Sequence, residues 1–122
     1  MKYVINLVDY EEKYADEINE IRIDEWGKDC AIDIRKKITE NSHIKVAKQN
    51  DLVVGFGSGK IIGDAFYIDS IVIKKEFRNK SIGSMLLNYF INYARKLNLA
   101  NLVCEGVLSN ERMNIAPLMK KY

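Results

Sequence analysis

The sequence predicts a mixed α/β fold of the α+β type, a single domain over residues 1–122, with the element order β-α-α-β-β-β-α-β-α. Three observations carry this. Residues 67–97, YIDSIVIKKEFRNKSIGSMLLNYFINYARKL, pass from a strand pattern through a basic turn into a long amphipathic helix pattern. Strand patterns joined by short polar turns lead up to that stretch, which makes a central antiparallel meander. Another strand pattern follows the helix, so the helix is a crossover into a parallel neighbour.

Taken in order, residues 1–10 read as a first strand, with Tyr3, Ile5 and Leu7 alternating against Lys2, Val4 and Asn6. Residues 11–26 read as a helix in which Tyr14, Ile18, Ile21 and Glu25 or Trp26 recur at helical spacing and acids cluster early. Gly27 interrupts it. A second short helix is expected from about residue 29 to 40, presenting Ile32, Ile34 or Arg35, and Ile38. Strands follow at 42–48 and 52–62, joined by Gln49-Asn50-Asp51. Gly57, Ser58 and Gly59 weaken the second of these and mark a bulge or the close approach of another backbone. His43, the one histidine, sits at a strand head, where a surface or packing role is expected.

After a Gly63-Asp64 turn, residues 66–73 alternate and then run apolar (Ile68, Ile71, Val72, Ile73), as a strand covered on both faces does. From Ile82 the period changes to three and four: Ile82, Leu86, Tyr89 or Phe90, Tyr93 and Leu97 share one helix face. Residues 98–101 make a loop, residues 102–108 a fifth strand, and a helix starts near 109–112 with Ser109 or Asn110 as N-cap.

A chain of 122 residues can bury one core and not two. Its 48% hydrophobic and 30% charged content is that of an ordinary globular protein. There is no run of about 18 apolar residues, so no membrane span or membrane partner is expected. The opening MKYVINLVDYEE turns acidic too early for a secretory signal. Cys30 and Cys104 lack metal-type spacing and read as incidental or buried thiols of a reducing cytoplasm.

The net charge of +2 hides an asymmetry: residues 1–69 carry −4 and residues 70–122 carry +6. A polyphosphate ligand held by the second half accounts for it. Nucleic acid does not follow, because the basic residues there are not interleaved with a platform of aromatics. Residues 74–84, Lys-Lys-Glu-Phe-Arg-Asn-Lys-Ser-Ile-Gly-Ser, combine positive charge, small residues and a helix start. A helix N-terminus has unpaired amide protons and the positive end of the dipole, so this geometry suggests a phosphate site.

Arg78-Asn79-Lys80-Ser81-Ile82-Gly83-Ser84 resembles the pyrophosphate loop of the GNAT superfamily of N-acetyltransferases, whose pattern is Gln/Arg-x-x-Gly-x-Gly/Ala between the fourth strand and the following helix. Arg78 and Gly83 match; Ser81 stands where the first glycine would be. The resemblance extends over residues 3–122. It implies acetyl-CoA as cosubstrate, no metal, and transfer of acetyl to a primary amine of a small molecule or protein. It also implies that the Ile71-Val72-Ile73 segment polarises the thioester carbonyl and pairs the pantetheine through backbone groups of Ile71 and Ile73. The pyrophosphate would rest on the amides of Arg78, Asn79, Lys80, Ser81, Ile82, Gly83 and Ser84, with Arg78 and Lys80 adding charge. Asn110 matches the asparagine that opens the helix after the fifth strand, and Asp24, Glu25, Trp26 and Asp29 would face a cationic acceptor.

Two departures accompany the resemblance. Met119 stands where the family often has the tyrosine that protonates the departing thiolate. The sequence stops at Tyr122, where the last two strands would follow, so either a longer chain or a partner, such as a second copy, completes the fold.

The chemistry sets its own demands. An amine of pKa about 10.4 must lose a proton before it attacks a thioester. By the two-residue period of a strand, Tyr67 and Asp69 share a face with Ile71 and Ile73. Asp69 is therefore a candidate base, acting directly or through water, with Glu105 on the fifth strand as a rival. Tyr122 or solvent would supply the acid. The alternative is a non-catalytic CoA-binding or protein-interaction module of the same fold.

Overall fold

The computed structural model describes residues 4–104. They form a sheet in the order β1-β2-β3-β4-β5, from β1 (Asn6–Asp9), β2 (Ser42–Gln49), β3 (Leu52–Ile62), β4 (Ala65–Ile73) and β5 (Asn101–Cys104). Neighbours are antiparallel from β1 to β4, and β5 joins β4 in parallel after the crossover. Helix α1 (Ala15–Trp26) packs on one face and α2 (Ile82–Lys96) on the other. The expected α+β order is present through β5 except for the second helix, while residues 105–108 and the closing helix lie outside the described residues.

β4 is buried from both sides, as its apolar run requires. Phe66, Ile68, Ile71 and Ile73 pack with Leu86, Leu87 and Phe90 of α2. Val72 packs the other way, with Phe56 of β3 and Tyr14 and Ile18 beneath α1. Each such side chain, taken fully out of water, contributes about 1.5–3 kcal/mol. Strict alternation would send Ile68 and Ile71 to opposite faces. The register instead slips at Ser58/Gly59: Ser58 faces Ser70, Gly59 faces Ile68, and Asp69 is the extra residue of a β-bulge. That residue resets the phase of the strand.

Both readings of Gly57-Ser58-Gly59 are realised, the bulge and the close approach. A Cβ on Gly57 would lie 2.5 Å from the Phe90 ring, and one on Gly59 2.4 Å from the Tyr67 carbonyl oxygen. Phe66 and Phe90 stack at 5.3 Å over the space these glycines leave.

Three expectations change. The helix expected over 29–40 is a single 3-10 turn, Ile34–Lys36. Asp33 accepts from the Arg35 amide and from Asn19 Nδ2, while the Ile34 amide donates to Asn19 Oδ1. These side-chain bonds compete with helical ones. Only Ile34 of the expected apolar face is buried; Ile32 and Ile38 are exposed. The first helix opens as a 3-10 turn, Glu12–Tyr14, and Gly27 ends it at φ 84°, its amide donating to the Ile23 carbonyl. Leu97 is exposed because α2 stops at Lys96, and Leu99 packs against the core instead.

His43 has a packing role. Its ring stacks on Tyr93 at 4.0 Å, and Nε2 lies 2.6 Å from the Tyr89 hydroxyl. Lys45 sits over the Tyr89 ring and pairs with Asp9 at 2.8 Å. Burial first, and the Lys45 charge second, push the imidazole pKa below its usual 6.5 against the pull of Asp9.

Gly57→Ala should destabilise the fold by about 1–3 kcal/mol through overpacking, read as a lower urea midpoint with an unchanged slope. An unshifted midpoint contradicts the packing described. For His43 the folded pKa lies below the unfolded one, so its contribution is full above pH 6.5 and is lost as pH falls below it. Stability measured from about pH 7 to 5 should decline less steeply in His43→Gln than in the parent; identical slopes contradict the assignment.

Candidate active site

The chain leaves β4 at Ile73 and makes a 3-10 turn, Lys75–Phe77, that drives Phe77 into the core. Arg78 is extended, then Asn79 (φ 62°) and Ser81 (φ 66°) are left-handed, and α2 begins at Ile82. Left-handed residues interleaved with right-handed backbone are the pattern of anion-binding nests. The Ser81 carbonyl accepts the Met85 amide at 3.0 Å, its side chain makes no capping bond, and the first turn of α2 has no acid. Ile82 and Gly83 are buried, whereas Asn79, Lys80 and Ser81 are exposed and Ser84 is half-buried. The loop thus anchors itself by Ile82 and turns its polar side to solvent at a helix N-terminus. Asparagine tolerates a left-handed conformation; serine does so at a cost that glycine avoids.

Arg78 is built into the structure. Its Nε donates to the Ile73 carbonyl at 3.0 Å and its Nη2 to Glu25 Oε1 at 2.5 Å. The two side chains are 12% and 17% exposed, so the pair is largely out of water. It ties the end of β4, the loop and the C-terminal turn of α1 together. The Arg78 guanidinium is thus engaged by Glu25 and the Ile73 carbonyl, and the Glu25 carboxylate by Arg78.

The backbone of β4 beyond the bulge points two ways. The Lys74 amide donates to the Val54 carbonyl of β3 at 2.8 Å. Backbone groups alternate in direction along an antiparallel pair, so those of Ile73 and Ile71 face the β5 side, and those of Val72 face β3. The described β4–β5 pairing runs from Ala65–Asn101 to Ile68–Cys104. Among the described residues, no strand pairs with Ile71 or Ile73 on that side.

Beneath the sheet, on the α1 face, lies a polar group in an apolar setting. Asp69 Oδ1 accepts from the hydroxyls of Ser58 at 2.5 Å and Ser70 at 3.3 Å, and Ser58 and Ser70 are buried. Arg22 of α1, 3% exposed, stacks over Trp26 at 5.0 Å and Phe56 at 6.0 Å. Burial lowers its pKa, against the charges of Asp69 and Asp33. The expected common face of Asp69 with Ile71 and Ile73 is corrected here. The bulge puts those isoleucines under α2 and leaves Asp69 on the side of Ser58, Ser70 and Arg22.

Trp26 belongs to this group through Arg22, while Asp24 and Asp29 are exposed on either side of it. Glu105, Asn110, Met119 and Tyr122 lie outside the described residues. Sequence reading missed Arg22, Ser58 and Ser70. A signal existed for Arg22: Ile18, Ile21, Arg22 and Glu25 make one buried helical stripe containing two charges, which is a demand for partners. Cavities of about 280 Å³ beside Asp9 and His43, and about 230 Å³ beside Asn19 and Ile32, are lined by other residues than this site. Among the described residues, no group of three or more His, Cys, Asp or Glu is gathered for a metal.

The site is thus framed by the bulged strand β4, the left-handed turn that leads from it into α2, and the parallel strand β5 beside it. Residues 7–114 match the acetyltransferase (GNAT) family, and the chain belongs to it. In fold it is similar to the ribosomal-protein-S18-alanine N-acetyltransferase from Escherichia coli (TM-score 0.71, 15% identity, 81% of this chain and 64% of that one). It is similar also to PaiA N-acetyltransferase from Thermoplasma acidophilum, solved with coenzyme A (0.67, 16%, 81% and 77%). A third likeness is an acetyltransferase of the GNAT family from Staphylococcus aureus (0.70, 19%, 83% and 73%). The chain thus spans just under two thirds of the length of the E. coli protein. No curated protein sequence matches it.

The Arg78–Glu25 pair should be felt in stability. Glu25→Gln and Arg78→Gln should each cost about 2 kcal/mol or more, because each leaves a largely buried partner uncompensated. The double variant should cost less than the sum of the two. Additive losses in urea unfolding contradict the pairing. Ser81→Gly, by contrast, should leave stability unchanged or raise it by up to about 1 kcal/mol.

Proposed function

We propose that the chain is an acetyl-CoA-dependent N-acetyltransferase that moves an acetyl group to a primary amine of a small molecule or protein. The observation that carries this is the turn at 79–84: left-handed Asn79 and Ser81, basic Lys80 and an acid-free helix start, set at the end of a strand whose Ile71 and Ile73 backbone faces a side where no described strand pairs with it. The pyrophosphate rests on amides of the loop and the first turn of α2, with Lys80 adding charge. The pantetheine arm lies along Ile71 and the Ile73 amide, since the Ile73 carbonyl already accepts from Arg78. Acetyl-CoA supplies the acyl group, and no metal is required.

The chain's own groups then have definite tasks. Backbone amides polarise the thioester carbonyl, where negative charge develops in the transition state. The ammonium gives up a proton to Asp69, directly or through water, and the neutral amine attacks the carbonyl carbon. A C–N bond forms, the C–S bond breaks, the acylated nitrogen sheds its second proton to solvent, and the thiolate takes a proton from solvent or Tyr122. Holding donor and amine together at β4 supplies several kcal/mol more. Glu105 remains the rival base, and Asn110 and Trp26 belong to the cofactor and acceptor sides respectively. A cytoplasmic location and a homodimer belong to the same reading. Among the described residues no helix is long and apolar enough to cross a membrane.

The other reading, a non-catalytic CoA-binding or protein-interaction module, draws on the mutual commitment of Arg78 and Glu25, which removes two charges from the ligand sides. Turnover separates the two. With acetyl-CoA and a panel of primary amines, thiol release should depend on the amine. Asp69→Asn should lower turnover by about a hundredfold while acetyl-CoA affinity stays within about twofold. Acetyl-CoA binding with no amine-dependent thiol release favours the module. An equal loss of affinity and turnover in Asp69→Asn removes Asp69 from the chemistry.

A further inference from the structure

Ser58 and Ser70 are hydroxyls set in an apolar layer. They are 5% and 3% exposed and face each other across β3 and β4. Their neighbours two residues along the same strands, Phe56 and Val72, belong to the core beneath α1. An apolar pair at these positions would need no partners, and exchanging a buried hydrogen-bonded pair for apolar groups of the same shape is nearly neutral. Packing alone does not ask for hydroxyls here. Both are instead turned on one carboxylate oxygen.

The three oxygens make a triangle. Ser58 Oγ lies 2.5 Å from Asp69 Oδ1, Ser70 Oγ lies 3.3 Å from the same atom, and the hydroxyl oxygens are 3.0 Å apart. Each hydroxyl has one proton to give, whereas an ionised carboxylate only accepts. The 2.5 Å contact has the length of a hydrogen bond to an ionised oxygen, so it takes the Ser58 proton. The Ser70 proton then goes to Ser58 Oγ or to Oδ1 itself. Either way both protons are directed toward Oδ1. The bulge makes this possible, because it turns Asp69 and Ser70, adjacent in sequence, toward the same serine.

The two carboxylate oxygens are therefore not equivalent. A proton arriving on Oδ1 would compete with buried hydroxyls that have no other carboxylate to turn to, and an unpaired buried donor is costly. A proton arriving on Oδ2 leaves the triangle as it is, since Oδ1 remains an acceptor. Among the described residues Oδ2 has no hydrogen-bond partner, and the buried side-chain polar atoms without one are Nε and Nη1 of Arg22. Oδ2 is thus not sealed in the interior, and Asp69 as a whole is half-buried.

We infer that Ser58 and Ser70 are positioning residues for acetyl transfer: they hold Oδ1 of Asp69 and leave Oδ2 as the oxygen that takes the proton of the acceptor ammonium. This deepens the reading of Asp69 as the base and rests on it. In the step, an N–H bond of the ammonium breaks, its electron pair stays on nitrogen, and the proton reaches Oδ2 directly or through water. Neither serine touches the amine. They supply a carboxylate whose free oxygen needs no reorientation when the amine arrives.

The test is a kinetic double-mutant cycle, read as thiol release from acetyl-CoA with the primary amine that the parent acetylates fastest. Ser58→Ala should lower kcat by about tenfold, as expected for a lost charge-assisted hydrogen bond, with acetyl-CoA affinity within about twofold. Ser70→Ala should lower kcat by about fivefold, because its proton reaches Oδ1 partly through Ser58. In an Asp69→Asn background, which keeps an acceptor for Ser58 and removes the base, neither serine variant should cost more than a further factor of about 1.5. A serine that only supports the sheet would cost the same factor in both backgrounds, and that result overturns the inference. Should Ser58→Ala fail to fold, Ser70→Ala carries the same cycle with the same criterion. Turnover that falls in Asp69→Asn and not in the serine variants overturns the positioning role and leaves the base reading intact. Turnover unchanged in Asp69→Asn removes the base and the inference together. An absence of thiol release with every amine removes the transferase reading and, with it, the inference.

Discussion

The β-bulge at Asp69 is the constraint on which the arrangement of this molecule rests, because it decides what each face of the sheet carries. Before it, Phe66 and Ile68 face α2; after it, Ile71 and Ile73 do. An unbroken alternation would have thrown one of these pairs onto the α1 face and left a gap under Leu86 and Phe90. The same slip delivers Asp69 and the two buried serines to the α1 face beside Arg22, in surroundings otherwise formed by Ile18, Phe56 and Val72. One inserted residue thus serves both the packing of the core and the polarity of the site. Glycines on β3 let this happen, since the rings of Phe66 and Phe90 occupy the volume a Cβ would need.

A second link runs from the site to the loop. The Arg78–Glu25 pair joins the end of α1 to the turn that precedes α2 and takes the Ile73 carbonyl with it. Desolvating two charges is worthwhile only with good geometry and further hydrogen bonds, and Arg78 has both. The consequence is mechanical. The helix that bears Arg22 and Trp26 and the loop that leads into α2 share one anchor.

Much of this was legible in the sequence, and the parts that were not have physical reasons. The switch from a period of two to one of 3.6 at residues 67–97 located β4, the loop and α2, because burial on two faces and then on one stripe leaves distinct patterns. In the loop, Ser81 adopts the left-handed conformation that suits the glycine of the pattern it resembles. Period counting misplaced Asp69 because it cannot see a bulge, even though Gly57-Ser58-Gly59 hinted at one across the sheet. The pairing of Arg78 with Glu25 was not legible, because sequence shows charges singly and says nothing about pairs 53 residues apart. The missing second helix follows the same lesson: Asn19 and Asp33 settle that segment through bonds between distant side chains.

The central claim is that the loop ending in the first turn of α2 receives the pyrophosphate of CoA. Backbone amide resonances followed during titration with CoA test it most directly. The largest changes are expected at Lys80, Ile82, Gly83 and Ser84, with a second group at Ile71 and Ile73. Changes centred elsewhere, for instance around His43 and Tyr89, with the loop amides unmoved, would contradict it.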